Sequence, residues 1–324
     1  MKRIGLMLLS AFIIMTMLFV LIKLLPNTVK DVQGGFAEQT KAMYEAWGYN
    51  EPIMIQYAIF LKKEFFEWDW GFCTKVGTFL QPVTQYLTSK LPATLYVNFV
   101  SLLISLPLGI ILGILAAVFK NKWQDQVINV FIMLFISVPS FVYAFILQYF
   151  VGFKLGWCPL VMEGGTDYFS WTMFHSAIMP ILALSFGTIA GDMRLVRAEL
   201  TETLTTDYML LARTKGLTRK QATFRHAFRN SLVPLMPTFM ADVIYVISGS
   251  MIIEQIIAVP GIGKTYLLSI SNRDYSVFMA ISMFYVIIGL LCSQFFSFCT
   301  LPLISSSIVS DLSVFVKVSA QVPP

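Results

Sequence analysis

Long apolar runs alternate with short polar segments along most of this chain. Six runs have close to the ~20 residues that a helix needs to cross the hydrocarbon core of a bilayer. The fourth of them is the shortest. The pattern therefore predicts an all-α polytopic membrane protein with six transmembrane helices. The runs lie at residues 4–25, 93–119, 127–151, 176–190, 231–253 and 277–298.

The basic residues indicate how these helices are oriented. Lys2 and Arg3 precede the first run, which is too long for a signal sequence and has no small-residue cleavage site after it. We therefore expect residues 1–25 to be a retained first helix. The connection 191–230 has eight basic and four acidic residues, whereas the outer loop 152–175 has one Lys. The positive-inside rule then predicts that both termini are cytoplasmic.

Composition narrows the possible functions. The chain is 57% hydrophobic and 13% charged, whereas soluble domains have about 25% charged residues. The net charge of +5 follows membrane topology, so it does not indicate nucleic-acid binding. A membrane enzyme is disfavoured because the two His residues form no Ser/His/Asp or His/Glu cluster.

Cys73 and Cys158 both lie in segments that are predicted to be outside the membrane on its outer side. We favour two unrelated thiols there over a disulfide, since pairing cannot be deduced from sequence.

The polar segments divide the chain into four parts. Residues 26–92 are too polar to cross a membrane, and we predict a small, mostly helical extracytoplasmic subdomain there. A loop with no partner is the alternative. Residues 93–298 form the remaining five-helix core, which includes the cytoplasmic loop 191–230. Residues 299–324 form a C-terminal tail.

Within the predicted spans, small residues and one acid stand out. Gly109 and Gly113, and then Gly187 and Gly191, recur at the four-residue spacing that lets helices approach closely in lipid. Asp242 lies well inside the fifth run. An intramembrane carboxylate is costly and indicates function. It could line a hydrophilic pathway or pair with a neighbouring helix.

The basic stretch 205–234 has the signals of a short helix. Thr206 is a suitable N-cap residue, and Asp207 in the first turn complements the helix dipole. Three- and four-residue spacing places three further side chains on one face. These are Tyr208, Leu211 and Ala212.

The same stretch has signals for a turn and a second helix. Arg213 and Lys215 occupy the last turn, and Gly216 can take the left-handed position that ends a helix. Thr218 and Gln221 then form a capping box. The first helix could lie on anionic lipid, but it is short and weakly basic. We therefore favour a docking helix for a cytoplasmic protein.

This stretch resembles the EAA loop of ABC importer permease subunits, in the form found in the dipeptide/oligopeptide permease family. The matching residues are Asp207-Tyr208, Ala212-Arg213, Lys215-Gly216-Leu217, Arg225-His226-Ala227 through Asn230, and the upstream Arg197. The resemblance extends over roughly residues 1–290. It includes Trp47-Gly48, Pro52-Ile53, Gln56-Tyr57, Leu91-Pro92-Ala93-Thr94-Leu95, Glu254, Pro260-Gly261-Ile262-Gly263 and Arg273-Asp274-Tyr275. The chain departs from the family at Pro26-Asn27-Thr28 and after about residue 293, where the usual Asp-Pro-Arg ending is absent.

The resemblance implies the ABC type I importer permease fold with a cytoplasmic coupling helix. It implies a non-catalytic subunit that pairs with a second homologous permease, two cytoplasmic ATPases and an extracytoplasmic peptide-binding protein. The chain itself would bind no cofactor, because ATP and Mg²⁺ belong to the ATPases. ATPase coupling would fall to Asp207, Tyr208, Leu211, Ala212, Arg213, Lys215 and Gly216, with support from Arg197, Thr218, Arg225, His226 and Asn230.

An outer gate is implied at Glu254, Pro260, Gly261 and Gly263. The run from Gly261 to Thr265 also resembles the end of a phosphate-binding loop. Residue 258, where the first glycine should be, is Ala258, and the topology places this loop away from cytoplasmic ATP. The cargo is expected to be peptides. The alternatives are nickel or another small solute carried by the same machinery, and a membrane receptor or scaffold.

Overall fold

The chain is helical through most of the residues that the computed structural model describes, which are 2–24, 37–248, 250–292 and 294. Within these ranges no β-strand forms, and Phe72 and Pro82 make an isolated antiparallel bridge. The helices are α1 (Lys2–Leu24), α2 (Ala37–Ala46), α3 (Ile53–Leu61), α4 (Val83–Val118), α5 (Trp123–Ser137), α6 (Ser140–Leu147), α7 (Trp171–Thr203), α8 (Asp207–Thr214), α9 (Arg219–Ala222), α10 (Phe228–Ser248), α11 (Met251–Ile256), α12 (Ile262–Asn272) and α13 (Tyr275–Cys292). Three π-helical turns continue α3, α6 and α9, at Lys62–Glu67, Gln148–Lys154 and Thr223–Ala227.

Among the described residues, four helices are long and apolar enough to cross a membrane: α1, α4, α7 and α13. A fifth span results if α5 and α6 are counted together as one bent span. Helix α10 covers most of the predicted run 231–253, whose end belongs to α11, and α10 is not one of these spans, so the count of six remains a prediction. The predicted tail 299–324 and the end of the last run lie outside the described residues.

The third predicted span, 127–151, is not one straight helix. It breaks before Pro139, and its two parts differ in direction by 96°. Val138 is extended, with φ −96° and ψ 125°. The ring of a following proline disfavours the helical conformation at this position. The apolar pattern showed the length of the span but not this break.

Helices α4 and α7 are longer than predicted. Helix α4 begins at Val83, inside the predicted outer subdomain 26–92, and has 36 residues. At 1.5 Å per residue it is about 54 Å long, well beyond the ~30 Å hydrocarbon core. Helix α7 continues to Thr203, so the first part of the predicted loop 191–230 is helical. An apolar run shows only which residues can lie inside the bilayer. The helix itself continues beyond the run where packing and backbone hydrogen bonds still stabilise it.

The chain forms two compact units. The first contains the described residues of Met1–Tyr96, Cys158–Ala177 and Ser248–Leu290. One face of α1 packs there against α3 and α13. The buried side chains of this contact are Met15, Phe19, Ile22, Phe60, Tyr275, Phe278, Met279 and Met283. Residues 68–82, between the π-helical turn after α3 and the start of α4, are irregular, and the predicted outer subdomain is helical over most of its described residues.

The second unit contains the described residues of Val97–Trp157, Ile178–Ile247 and Leu291–Pro324. Helices α4 and α7 approach closely there, as the glycine spacing predicted. A Cβ atom on Gly113 would lie 2.7 Å from Cβ of Val196, and one on Gly109 would lie 2.6 Å from Cβ of Asp192. Gly187 and Gly191 have open space instead. The packing prediction is therefore confirmed for the first glycine pair and wrong for the second.

Candidate functional sites

Helix α8 begins where the sequence predicts. Thr206 occupies the N-cap with an extended backbone, and Asp207 lies in the first turn. The Thr206 hydroxyl does not cap the helix, however. Its Oγ1 donates to the carbonyl oxygen of Thr203 at 2.6 Å. The predicted N-cap position is therefore confirmed, although the Thr206 hydroxyl bonds to the end of α7 instead of to α8.

Helix α8 ends in a Schellman motif. Gly216 has φ +89°, the left-handed region that costs a glycine least. Its N–H donates to the carbonyl of Arg213 at 3.0 Å, and the N–H of Leu217 donates to the carbonyl of Ala212 at 3.3 Å. These are the two bonds that define the motif. The predicted glycine stop is confirmed.

The predicted capping box of the next helix is also confirmed. The Gln221 N–H donates to Thr218 Oγ1 at 3.3 Å, and the Thr218 N–H donates to Gln221 Oε1 at 3.0 Å. Arg225 and His226 follow on the exposed side of the π-helical turn, and Asn230 is exposed in the first turn of α10. Helix α8 is thus held between two defined ends.

The two faces of α8 differ from the predicted ones. Met209 and Ala212 are buried, at 5% and 6% exposure. Tyr208 and Leu211, which the spacing placed beside Ala212, are 38% and 55% exposed. The apolar residue Leu210 is 60% exposed. Helix α8 therefore has apolar side chains on its outer surface as well as on its packed surface.

The buried face of α8 packs against the ends of two long helices. Met209 and Ala212 belong to one cluster with Ala117 of α4 and Leu200 of α7. Leu217, which follows the glycine stop, packs against the same cluster. A displacement of α8 would therefore also displace the ends of α4 and α7, because well-packed side chains transmit strain.

Arg197 forms an ion pair that sequence reasoning missed. Its Nε donates to Asp125 Oδ1 at 2.6 Å, and its Nη2 donates to Asp125 Oδ2 at 2.9 Å. This bidentate geometry is the strong form of an arginine–carboxylate contact. Asp125 is buried in the first turn of α5 and also accepts from the Asn121 N–H and the Asn129 side chain. The pair connects α7 to α5. A lone acid just before an apolar run was the signal that could have pointed to it.

The outer loop is organised by Glu254. This residue is 3% exposed, and burial raises the pKa of its carboxyl. Its Oε1 accepts from the Thr94 hydroxyl at 2.9 Å, and its Oε2 accepts from the Lys264 N–H at 3.0 Å. Thr94 Oγ1 in turn accepts from the Ile262 N–H at 2.9 Å. The carboxylate thus lies at the N-terminus of α12, where the helix dipole favours negative charge.

The glycines beside this carboxylate leave room for it. A Cβ atom on Gly261 would collide with Glu254 and Thr94, and one on Gly263 would lie 2.9 Å from Cα of Met251. Pro260 directly precedes this pair. The run that resembles a phosphate-binding loop is therefore a helix N-terminus that is occupied by a carboxylate of the same chain.

Asp274 is a second buried carboxylate of the outer region, and it was not among the predicted site residues. It is 0% exposed. Its Oδ2 accepts from three successive backbone N–H groups, those of Thr74, Lys75 and Val76, at 2.8, 2.8 and 3.1 Å. Asp274 therefore fixes the outer segment to the start of α13. The only sequence signal was its place in the Arg273-Asp274-Tyr275 match.

Asp242 lies beside a second acid, Asp192 of α7. Both carboxyl groups have a buried Oδ2 without a hydrogen-bond partner among the described residues. The sequence showed no partner for Asp242 because the nearest acid comes from another helix. The structure thus places Asp242 at a contact between α10 and α7, and its role in a pathway remains a prediction.

The described cysteines are free. Cys73 and Cys158 are buried thiols that form no disulfide, as the sequence analysis favoured. Within the described part of the chain, no group of three or more His, Cys, Asp or Glu side chains is placed to hold a metal ion.

Comparison with known proteins gives the family of the chain. Residues 109–311 match the family described as the binding-protein-dependent transport system inner membrane component. The dipeptide transport system permease protein DppB of Lactococcus lactis is 34% identical, over 89% of this chain and 91% of that protein. The protein of the same name from Bacillus subtilis is 32% identical over 89% of this chain and 90% of its own length. OppB of Mycoplasma pneumoniae, an oligopeptide transport system permease protein, is 35% identical over 88% of this chain and 72% of its own length.

Solved structures share the fold. A chain of an amino acid ABC transporter matches 67% of this chain and 94% of its own length, with a TM-score of 0.50 and 18% identity. A chain of the MetNI methionine ABC transporter, in an inward-facing conformation, matches 69% of this chain and 96% of its own length, with a TM-score of 0.51 and 17% identity. The chain has the permease fold of ABC importers, and it belongs to the family of multi-pass inner-membrane components of binding-protein-dependent transport systems.

Proposed function

We propose that this chain is the peptide-translocating permease subunit of an ATP-driven importer and that α8 is its coupling helix. The observation that carries the proposal is the construction of α8. It is a short helix with two defined ends, a buried face packed on α4 and α7, and exposed apolar side chains on its other surface. Exposed apolar patches mark protein interaction sites. Peptide as cargo is supported by the names of the relatives.

The proposed mechanism begins outside this chain. ATP and Mg²⁺ bind to two cytoplasmic ATPase partners, whose closure displaces α8. Because Met209 and Ala212 pack directly on Ala117 and Leu200, the displacement reaches α4 and α7. The ATPases thereby bias a bundle with two states, to the extent that they bind one state better than the other. Arg197 and Asp125 support the motion by holding α7 and α5 together.

The outer loop has a complementary proposed role. In the predicted topology α8 is cytoplasmic, and we infer that Glu254, Gly261 and Gly263 belong to an outer loop. There they form the gate that meets an extracytoplasmic peptide-binding protein. A second homologous permease completes the pathway. Glu254 keeps the gate in one conformation because its carboxylate holds the N-terminus of α12 through backbone N–H groups.

The coupling assignment is tested by acidic substitutions on the two faces of α8. Leu211→Glu alters an exposed side chain, so the permease should fold and insert normally while peptide uptake and peptide-stimulated ATPase activity fall by about tenfold or more. Ala212→Glu and Gly216→Val should abolish both activities, because they disturb the buried face and the left-handed stop. The matched control is Val161→Glu, which changes a side chain of almost the same exposure, 54% against 55%, on an outer loop. Normal uptake by the α8 variants would refute the coupling role.

The cargo is tested separately. Proteoliposomes that contain the complete importer should accumulate labelled peptides in an ATP-dependent manner, and graded peptide lengths would define the preferred size. Nickel uptake measured beside them distinguishes the alternative cargo. Purification without stoichiometric ATPase subunits would instead favour a receptor or scaffold.

A further inference from the structure

A groove of about 550 Å³ in the second unit is lined by the end of α4 and by α9 with the π-helical turn that follows it. Its volume is within the range of small-molecule sites, about 300–1,000 Å³. Three apolar side chains of its lining, Leu115, Val118 and Phe224, are here called the apolar wall. Three basic ones, Lys122, Arg219 and Lys220, are called the cation rim. The lining contains no acidic residue.

The cation rim has no internal counter-charge. All three of its side chains are exposed, and none forms an ion pair with another residue in the described part of the chain. The nearby acid Asp125 is already engaged by Arg197. Three unpaired cations around one groove attract an anion, and phosphate groups are bound by such clusters.

Two of the three residues of the apolar wall lie on a helix that is long and apolar enough to cross a membrane. Leu115 and Val118 belong to the final turns of α4, which is a membrane-spanning helix. Leu115 is 41% exposed and Phe224 is 59% exposed. Trp123, which directly follows Lys122, is 69% exposed, and tryptophan favours the headgroup level of a bilayer.

We propose that this groove binds one anionic phospholipid, whose phosphate contacts the cation rim and whose acyl chain lies along the apolar wall. The ligand combines the two chemistries that the groove presents, a negative headgroup and an apolar tail. The site is on the same leaflet as α8, and its lipid packs against the π-helical turn Thr223–Ala227 that joins α9 to α10. The inference does not depend on the cargo or on ATPase docking by α8.

The test uses the chain purified with its accompanying subunits. Native mass spectrometry would count retained lipid after addition of phosphatidylglycerol or phosphatidylcholine, with inorganic phosphate as a competitor in a separate arm. Each basic residue near an anionic surface contributes about fivefold in affinity. The variant Lys122→Gln/Arg219→Gln/Lys220→Gln should therefore bind phosphatidylglycerol on the order of 100-fold more weakly. The control is Lys120→Gln, a cation two residues away that does not line the groove.

Each outcome decides the proposal. Support requires that the wild type and Lys120→Gln each retain one phosphatidylglycerol molecule and that the triple variant loses it. The variant Leu115→Trp, whose larger side chain would occupy the groove beside the apolar wall, should lose it as well. Equal binding of both lipids, or equal binding by the triple variant, would overturn the proposal. Displacement by millimolar phosphate would identify a free-anion site instead. Loss of ATPase subunits with unchanged lipid binding would show that the rim docks protein. If the triple variant fails to fold, the three single variants must each lose about fivefold.

Discussion

Replacing Asp274 with alanine should release the outer segment that its carboxylate holds. Asp274 Oδ2 is the shared acceptor for the N–H groups of Thr74, Lys75 and Val76. Alanine leaves these donors without their acceptor. Cys73 lies directly beside them and is 0% exposed, so its thiol reports whether the segment opens.

The size of the effect follows from these contacts. A hydrogen bond to a charged group contributes about 1.5–3 kcal/mol, and a buried donor left unpaired costs a similar amount. Lys75 is exposed, so water can replace its bond. The other two bonds give a loss of about 4 kcal/mol for Asp274→Ala. Asp274→Asn keeps an oxygen acceptor without the charge, so we expect a loss of about 1–2 kcal/mol.

The assay is the rate at which a maleimide reacts with Cys73 as the sole thiol, in a Cys158→Ser/Cys292→Ser/Cys299→Ser background. A loss of 4 kcal/mol in local opening free energy corresponds to about 10³-fold faster reaction. The fraction of Cys73 that is present as the reactive thiolate should also rise in Asp274→Ala. Burial, and then the Asp274 carboxylate, raise the pKa of the Cys73 thiol to about 12, and the substitution removes the second cause. Asp274→Asn should react on the order of tenfold faster than the parent.

Asp167→Ala is the control for this experiment. Its carboxylate accepts a single bond, from the Phe169 N–H at 3.2 Å at the protein surface, and surface changes usually alter stability by less than about 0.5 kcal/mol. The argument is refuted if Asp274→Ala reacts at the rate of the Asp167→Ala control. It is also refuted if Asp274→Asn reacts faster than Asp274→Ala.

Three further predictions follow from buried contacts. Gly113→Val should cost about 3 kcal/mol by overpacking and lower the apparent melting temperature in detergent, whereas Gly191→Val, in open space, should cost less. Arg197→Met should destabilise by about 3 kcal/mol because it leaves Asp125 buried and unpaired, and Asp125→Asn in the same background should recover part of the melting temperature. Burial, followed by repulsion from Asp69, raises the pKa of Glu64 to about 8, so the folded state binds more protons than the unfolded state between pH 4.5 and 8. Stability should then fall as pH rises through this window, by up to about 1.4 kcal/mol per pH unit, and Glu64→Gln melting curves should lack that slope.

Local signals predicted well where α8 ends and where α9 begins. The glycine stop at Gly216 and the capping box at Thr218 are decided within a few residues, so composition and spacing are sufficient. The faces of α8 were predicted less well. Leu211 and Ala212 are adjacent in sequence, and which of them is buried depends on where α4 and α7 lie.

The sequence by itself determined the helical membrane class, the apolar runs that become α1, α4, α7 and α13, and the resemblance carried by residues 205–234. These properties depend on hydropathy and on interactions between near neighbours. Only the tertiary structure decided the partner of Arg197 and the carboxylate that occupies the N-terminus of α12. Each of these depends on groups far apart in the chain. The Asp125–Arg197 pair spans 72 residues and the Thr94–Glu254 bond spans 160, and no local pattern specifies a contact at that separation.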